Sequence, residues 1–195
     1  IEFNSKVNLI SGNSNSNGFY RSEYGIVKDF LNEIKHLNKS EKFSLIDDLW
    51  ASAVSCITPI DRYLDNALYL KQDADPELQS LILSTLSSLK RYTNEDLKPK
   101  YISIIENYSL DLLSKIGTEP NGKESLKTKE LRAIIFRTLS IACENNEYID
   151  KLNEVYSQYN SNKTSIDPNM TASAIASVAH YGNEKTYKEY FSKYA

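Results

Sequence analysis

A mainly helical chain, built from antiparallel helix hairpins behind a short N-terminal β-hairpin, is the fold class the sequence predicts. Three observations carry it. From Ile26 onward the apolar residues recur at helical spacing to the last helix. Before Gly18 they alternate instead, with Ile1, Phe3, Val7 and Leu9 on one face of a period-two pattern. Between the helical stretches stand start signals, Thr58-Pro59, Asp75-Pro76 and Asp167-Pro168, each setting a capping side chain beside a proline.

The elements follow in order. Residues 1–10 read as a first strand. Residues 11–18 are a polar, turn-rich loop expected to be mobile. Residues 19–24, with Phe19, Tyr20 and Tyr24, read as the returning strand. Gly18 suits the end of the turn, and Gly25 breaks the strand where the helical period begins. A lone two-stranded hairpin is marginally stable. It therefore packs on the helices or belongs to a sheet that is not here.

The first helix is expected over about 26–37, with Val27, Phe30, Leu31, Ile34 and Leu37 on one stripe. Ser40 is the expected cap of the second, whose stripe is Leu45, Ile46, Leu49, Trp50, Ala53 and Ile57. Thr58 at the cap, Pro59 after it and Asp61 reaching back would start the third. Asp75-Pro76 starts the fourth. The segment 93–96 opens the fifth, with Pro99 confined to its first turns because later it would remove a backbone bond. Residues 117–122 end that helix. A sixth spans about 125–143, a seventh 147–159, an eighth begins at Asp167-Pro168 and closes at Gly182, and a ninth carries Tyr187, Tyr190, Phe191 and Tyr194. Repeated hairpins stack as an α-solenoid, because one hairpin cannot bury both its faces. No strict repeat is visible, and a compact irregular bundle fits the same pattern.

Two segments also resemble a known family. Asn17-Gly18-Phe19-Tyr20-Arg21-x-x-Tyr24 resembles the N-x-x-G-x-Y-R-V-x-Y segment of M1-type zinc aminopeptidases, and Leu45-Ile46-Asp47-Asp48-Leu49-Trp50-Ala51-Ser52-Ala53 resembles that family's L-I-N-D-A-F-x-L-A helix. Glu130-Leu131-Arg132-Ala133-Ile134-Ile135, with the later Ile166-Asp167-Pro168, is a looser third match. Ser22 departs from the family's usual Val, and the loop before Gly18 is longer than usual. On its Asn-, Lys- and Ile-rich composition the chain is similar to the tricorn-interacting aminopeptidases of archaea.

The resemblance implies that residues 1–24 are the last hairpin of a β-sandwich domain. Residues 25–195 would be a HEAT-like C-terminal helical-repeat domain lacking its later helices. It implies a non-catalytic role, covering the active site and shaping the peptide chamber of a parent enzyme that releases N-terminal residues with zinc-activated water. The partners implied are the parent's catalytic and β-sandwich domains and the peptide substrate. Tyr20, Arg21, Asp48 and Trp50 are the structural or interdomain candidates. Arg21 precedes a helical core and needs a planar acceptor. Asp48, between Leu45 and Leu49, is the expected partner ahead of Asp47. Cut ends would leave Ile1, Phe3, Val7 and Leu9 exposed at one side, and Tyr187, Tyr190, Phe191 and Tyr194 at the other, offering a homodimer contact.

The chemistry within the chain itself is sparse. Its two histidines, His36 and His180, lie far apart in sequence and outside any His-Glu-x-x-His motif. Glu33-x-x-His36 is a single pair where a carboxylate-bridged metal site needs two. No Gly-rich phosphate loop or Gly-x-Ser-x-Gly elbow occurs. No zinc or other cofactor is therefore expected in this chain. At 41% hydrophobic and 25% charged residues, with a net charge of −3, the composition is that of a globular protein without a nucleic-acid-binding stripe. No run reaches transmembrane length. Cys56 and Cys143 read as buried free thiols of a reducing, cytoplasmic setting. The fourteen tyrosines read as core and groove residues with their hydroxyls at the rim. The alternative function is a stand-alone helical-repeat adaptor that binds a protein or peptide in its groove.

Overall fold

Asn38 begins the first long helix of the computed structural model, which describes residues 12–24, 33–161 and 166–194. The chain forms two units, Ile1–Ile82 and Leu83–Ala195. Among the described residues the secondary structure is helical, with no strand.

In the first unit, helix α1 (Lys39–Val54) starts with a capping box. The Asn38 side chain accepts from the Glu41 amide at 3.0 Å, and the Glu41 carboxylate accepts from the Asn38 amide at 3.0 Å. Ser40, the expected cap, already lies inside the helix, because only Asn38 has a Glu three residues on. Helix α2 (Ile60–Tyr69) starts one residue later than its Thr-Pro signal suggested. Pro59 therefore occupies the cap position and supplies no side-chain acceptor. The Thr58 hydroxyl bonds that of Ser52 instead, and Asp61 accepts from the Arg62 amide. Helix α3 (Pro76–Ser88) starts as expected: one Asp75 carboxylate oxygen accepts from the amides of Glu77 at 3.0 Å and Leu78 at 2.9 Å. Ile34, Leu45, Ile46, Tyr63, Ala67 and Ile82 form the core. A buried Gln79 amide donates to the carbonyls of Leu70 and Asp73, both at 2.8 Å, satisfying the end of α2. Lys42 pairs with Asp73 at 2.7 Å, and Lys39 bridges Asp75 and Glu77, tying the α2–α3 connection to α1.

The second unit contains α4 (Lys98–Ile116), α5 (Leu126–Arg137), α6 (Asn146–Ser161), α7 (Pro168–Tyr181) and α8 (Glu184–Tyr194). Asn94, Ser125, Asn145, Asp167 and Asn183 each accept from amides in the first turn that follows. Helix α5 packs against α4 and α7, and α7 packs against α6 as well. Small hydroxyl residues let α5 and its continuation approach α7 closely. Ser173 donates to the Ala133 carbonyl at 2.8 Å, and the Ser140 and Ser177 hydroxyls meet at 2.6 Å. The long sixth helix of the sequence reading does not run as one α-helix. Beyond Arg137 it widens into a π-turn, Thr138–Ala142. The carbonyls this turn releases are taken by side chains: Lys90 Nζ donates to Ile141 at 3.1 Å, and the Tyr181 hydroxyl to Ser140 at 2.6 Å.

Other expectations need correction. The first predicted helix, 26–37, falls largely outside the described residues. Its described end is a single 3₁₀ turn, Ile34–His36, with Ile34 and Leu37 buried. Strand 1–10 also lies outside them, and residues 19–24 form no strand; within them the Ser22 amide is taken by Asp48 of α1. Cys56 is exposed, not buried. It follows the end of α1 at φ 56°, so its side chain leaves the helical stripe. Cys143 is buried, and burial is the main reason its thiol is pushed up to about 12.

Arg132 carries the most deeply buried charged side chain among the described residues, at 1% exposed. Its guanidinium donates to the Gly117 carbonyl at 2.9 Å, the Ile116 carbonyl at 3.0 Å and both oxygens of the buried Glu124, one at 2.7 Å. It thus caps the end of α4, where Gly117 turns at φ 79°, and closes the loop back onto α5. Arg132→Met should destabilise the second unit by roughly 3–5 kcal/mol, because Glu124 and two carbonyls lose their partner. Arg132→Met with Glu124→Gln should recover part of that loss; urea denaturation reads both. Hydrogen bonding to Arg132 holds the Glu124 carboxyl below its ordinary range. Its stabilisation is complete above the unfolded-state value and is lost as pH falls through the lower folded value. Acid titration of the wild type against the double variant should show that slope disappear.

Candidate functional site

The described residues of the N-terminal segment fold onto α1. Asn13, 6% exposed, closes the loop on itself: its amide donates to the Gly18 carbonyl at 3.0 Å, and its oxygen accepts from the Gly18 amide at 2.7 Å. Asn15 and Ser16, at φ 54° and 56°, place their groups against the start of α1. The Asn15 amide donates to Glu41 at 3.1 Å, its side-chain oxygen accepts from Asn38 at 2.9 Å, and the Ser16 hydroxyl donates to the Ser40 carbonyl at 2.8 Å. Glu41 therefore caps the helix and holds the loop at once. The amides of Asn38 and Asn15 keep its carboxyl below the ordinary range. The loop expected to be mobile is instead bound to α1 through its described residues.

Tyr20, Arg21, Asp48 and Trp50 follow. Tyr20 is exposed and its hydroxyl donates to the Gly12 carbonyl at 2.5 Å. Arg21 donates to the Asp47 carboxylate at 2.8 Å and the Asp47 carbonyl at 3.0 Å, while the Asp48 carboxylate stands 3.6 Å away. Arg21 thus pairs with both acids, within ion-pair distance of the expected Asp48 and in direct hydrogen bonding with Asp47. The reason is the helical phase. Asp48 points inward, 6% exposed, and receives the Ser22 amide at 3.0 Å; Asp47 stays at the rim with the guanidinium. Burial pushes the Asp48 carboxyl above its ordinary range, opposed by the Ser22 amide and Arg21. Tyr24 is raised too, by burial first and then by the Asp48 charge. Trp50 is half-buried and packs edge-on against Tyr63 with ring centroids 5.2 Å apart, joining α1 to α2.

The second unit carries a cleft of about 230 Å³ beside the π-turn. Ile134, Ile141 and Ala142 give it an apolar wall; Ser87, Thr138, Lys90 and Arg137 give it polar groups. On α8, Tyr190 turns inward, donating to the Ile175 carbonyl at 3.0 Å beside the Tyr156 ring. Tyr187 and Phe191 stack at 6.3 Å with 68% and 63% of their surface exposed. The Tyr194 side chain lies outside the described residues. His36 stands 3.7 Å from Glu33 at the end of its turn, and His180 packs edge-on against Tyr181. Among the described residues no group of three His, Cys, Asp or Glu side chains is placed to hold a metal ion. None of their helices is long and apolar enough to cross a membrane. Neither site gathers histidines or a nucleophile with its base; what they offer is hydrogen-bonding and packing surface. The Arg132–Glu124 clamp had no role in the sequence reading, although an arginine within Leu131-Arg132-Ala133-Ile134-Ile135 was a visible signal.

Asp48→Ala should cost about 1–3 kcal/mol by leaving the part-buried Ser22 amide without its acceptor. Arg21→Ala and Asp47→Ala, at the exposed rim, should each cost less than about 1 kcal/mol. Denaturation of the three variants and the two Arg21 double variants checks this order; equal losses at Asp47 and Asp48 would refute it. Because the folded Asp48 value is raised, its contribution is full below the unfolded value and lost as pH rises through the folded one. Asp48→Asn, which keeps an acceptor for Ser22, should flatten that dependence.

Comparison with known proteins gives this geometry a context. Residues 9–195 match the family model described as ERAP1-like C-terminal domain. The chain is 25% identical over 133 residues to Tricorn protease-interacting factor F2 of Thermoplasma volcanium, an alignment covering 67% of this chain and 17% of that relative. The chain thus spans a small part of the relative's length. No solved structure matches significantly. The chain belongs to the ERAP1-like C-terminal domain family, the C-terminal domain of M1-type aminopeptidases.

Proposed function

We propose that this chain is the non-catalytic C-terminal helical domain of a zinc aminopeptidase, covering the active site and shaping the chamber in which peptides lose their N-terminal residues. The observation that carries this reading is the family match over residues 9–195. Packing within the second unit supports a HEAT-like stack: α7 lies against both the preceding helix α6 and, one hairpin earlier, α5. Its partners in this reading are the catalytic and β-sandwich domains of the parent and the peptide itself. The described residues do not fit a zinc site, so no chemical step through zinc is assigned to them. A cytoplasmic setting belongs to the same proposal and rests on the unpaired Cys56 and Cys143.

The test compares the parent enzyme, the parent lacking this domain, and the isolated chain. The isolated chain should release nothing from aminoacyl fluorogenic substrates and hold no stoichiometric zinc after dialysis. Removing the domain should depress turnover of peptides more than turnover of single aminoacyl amides. Activity that follows the isolated chain through repurification would overturn the proposal, as would unchanged peptide turnover without the domain.

The exposed Tyr187–Phe191 stack supports a further part of the proposal, that isolated copies meet through α8. Sedimentation across a concentration series should show a dimer that Phe191→Glu dissociates. A monomer at every concentration would reject this contact.

A further inference from the structure

We infer that Asn121 is a site of spontaneous deamidation and isoaspartate formation in the folded protein, and that Asn17 is protected from the same reaction. The sequence contains two Asn-Gly pairs, Asn17-Gly18 and Asn121-Gly122. In such a pair the glycine amide nitrogen attacks the asparagine Cγ. The new N–C bond forms, the C–NH₂ bond breaks, and the glycine amide proton leaves with the NH₂ group as ammonia. The resulting succinimide is opened by water at either carbonyl, giving aspartate or isoaspartate. Glycine favours the attack because it has no Cβ to obstruct the approach.

The two pairs meet opposite surroundings. The Gly18 amide is committed to the buried Asn13 side chain at 2.7 Å. Gly18 also packs closely against Tyr20: a Cβ built on it would lie 2.1 Å from that ring. Among the described residues the Gly122 amide makes no hydrogen bond, and nothing lies within 4 Å of a Cβ built on Gly122. Residues 118–123 are all exposed. The Lys123 amide donates to the Asn121 side-chain oxygen at 3.1 Å. That oxygen acquires negative charge when Cγ is attacked, so the donor stabilises the tetrahedral intermediate. Arg132 fixes Gly117 and Glu124 on either side. The extra backbone methylene of isoaspartate is therefore taken up within the exposed segment.

Incubation of the folded chain under warm, mildly alkaline conditions, followed by peptide mapping and enzymatic isoaspartate detection, tests the inference. Asn121 should convert faster than Asn17 by on the order of tenfold, the factor expected from withdrawing one amide from a hydrogen bond. In urea the two rates should converge. Asn13→Ala should speed conversion of Asn17, and Gly122→Ala should slow that of Asn121. Equal rates in the folded chain, or an Asn121 that stays intact while the same residue converts in urea, would overturn the inference.

Discussion

Helices of 10 to 19 residues leave four amides and four carbonyls without intrahelical partners at their ends, and these groups are a large share of the whole. Leaving them buried and unpaired would cost more than the packing returns. In this chain short polar side chains take the amides at the start of most helices, from Asn38 to Asn183. Longer side chains take carbonyls: Gln79 at the end of α2, Arg132 at the end of α4, Lys90 at the π-turn. The apolar stripes can meet because these ends are already satisfied.

The same account explains which features were legible. Asp75 and Asp167 announce their helices because the acceptor and the following proline are adjacent in sequence, and both caps form as read. Thr58-Pro59 carries an identical signal but fails, since the helix begins one residue on and proline takes the capping position. Asn38 displaces Ser40 as the cap because it alone forms a reciprocal bond with Glu41, three residues on. The loop at residues 12–18 reads as mobile from composition. Its order comes from Asn13, Asn15 and Ser16 finding partners, most of them at the head of α1, some twenty-five residues away, which no local pattern encodes. Arg21 and its acids were found as a cluster, while helical phase decided which acid points inward.

Two buried carboxylates show how burial and pairing compete. Glu124 faces a guanidinium that reaches both its oxygens, and the pairing outweighs burial. Asp48 has one backbone amide and a guanidinium 3.6 Å away, and burial prevails. The two acids consequently push stability in opposite directions with pH, although both sit beside an arginine. Distance and fork geometry separate them, not residue type. The better-paired acid closes a loop between two helices; the other holds the incoming segment on α1.

Several tyrosines meet the same need for carbonyl partners. Tyr101 donates to the Ser87 carbonyl at 3.0 Å, Tyr181 to Ser140 and Tyr190 to Ile175. In each case the hydroxyl reaches a helical carbonyl while the ring contributes apolar surface to the contact. Phenylalanine would contribute similar area but leave that carbonyl with one partner fewer. The requirement is sharpest at the π-turn, where the carbonyl of Ser140 has lost its regular helical donor and Tyr181 replaces it from α7. A chain of many short, irregular helices has many such carbonyls. A ring that ends in a donor meets that need and the demand for apolar area with one side chain.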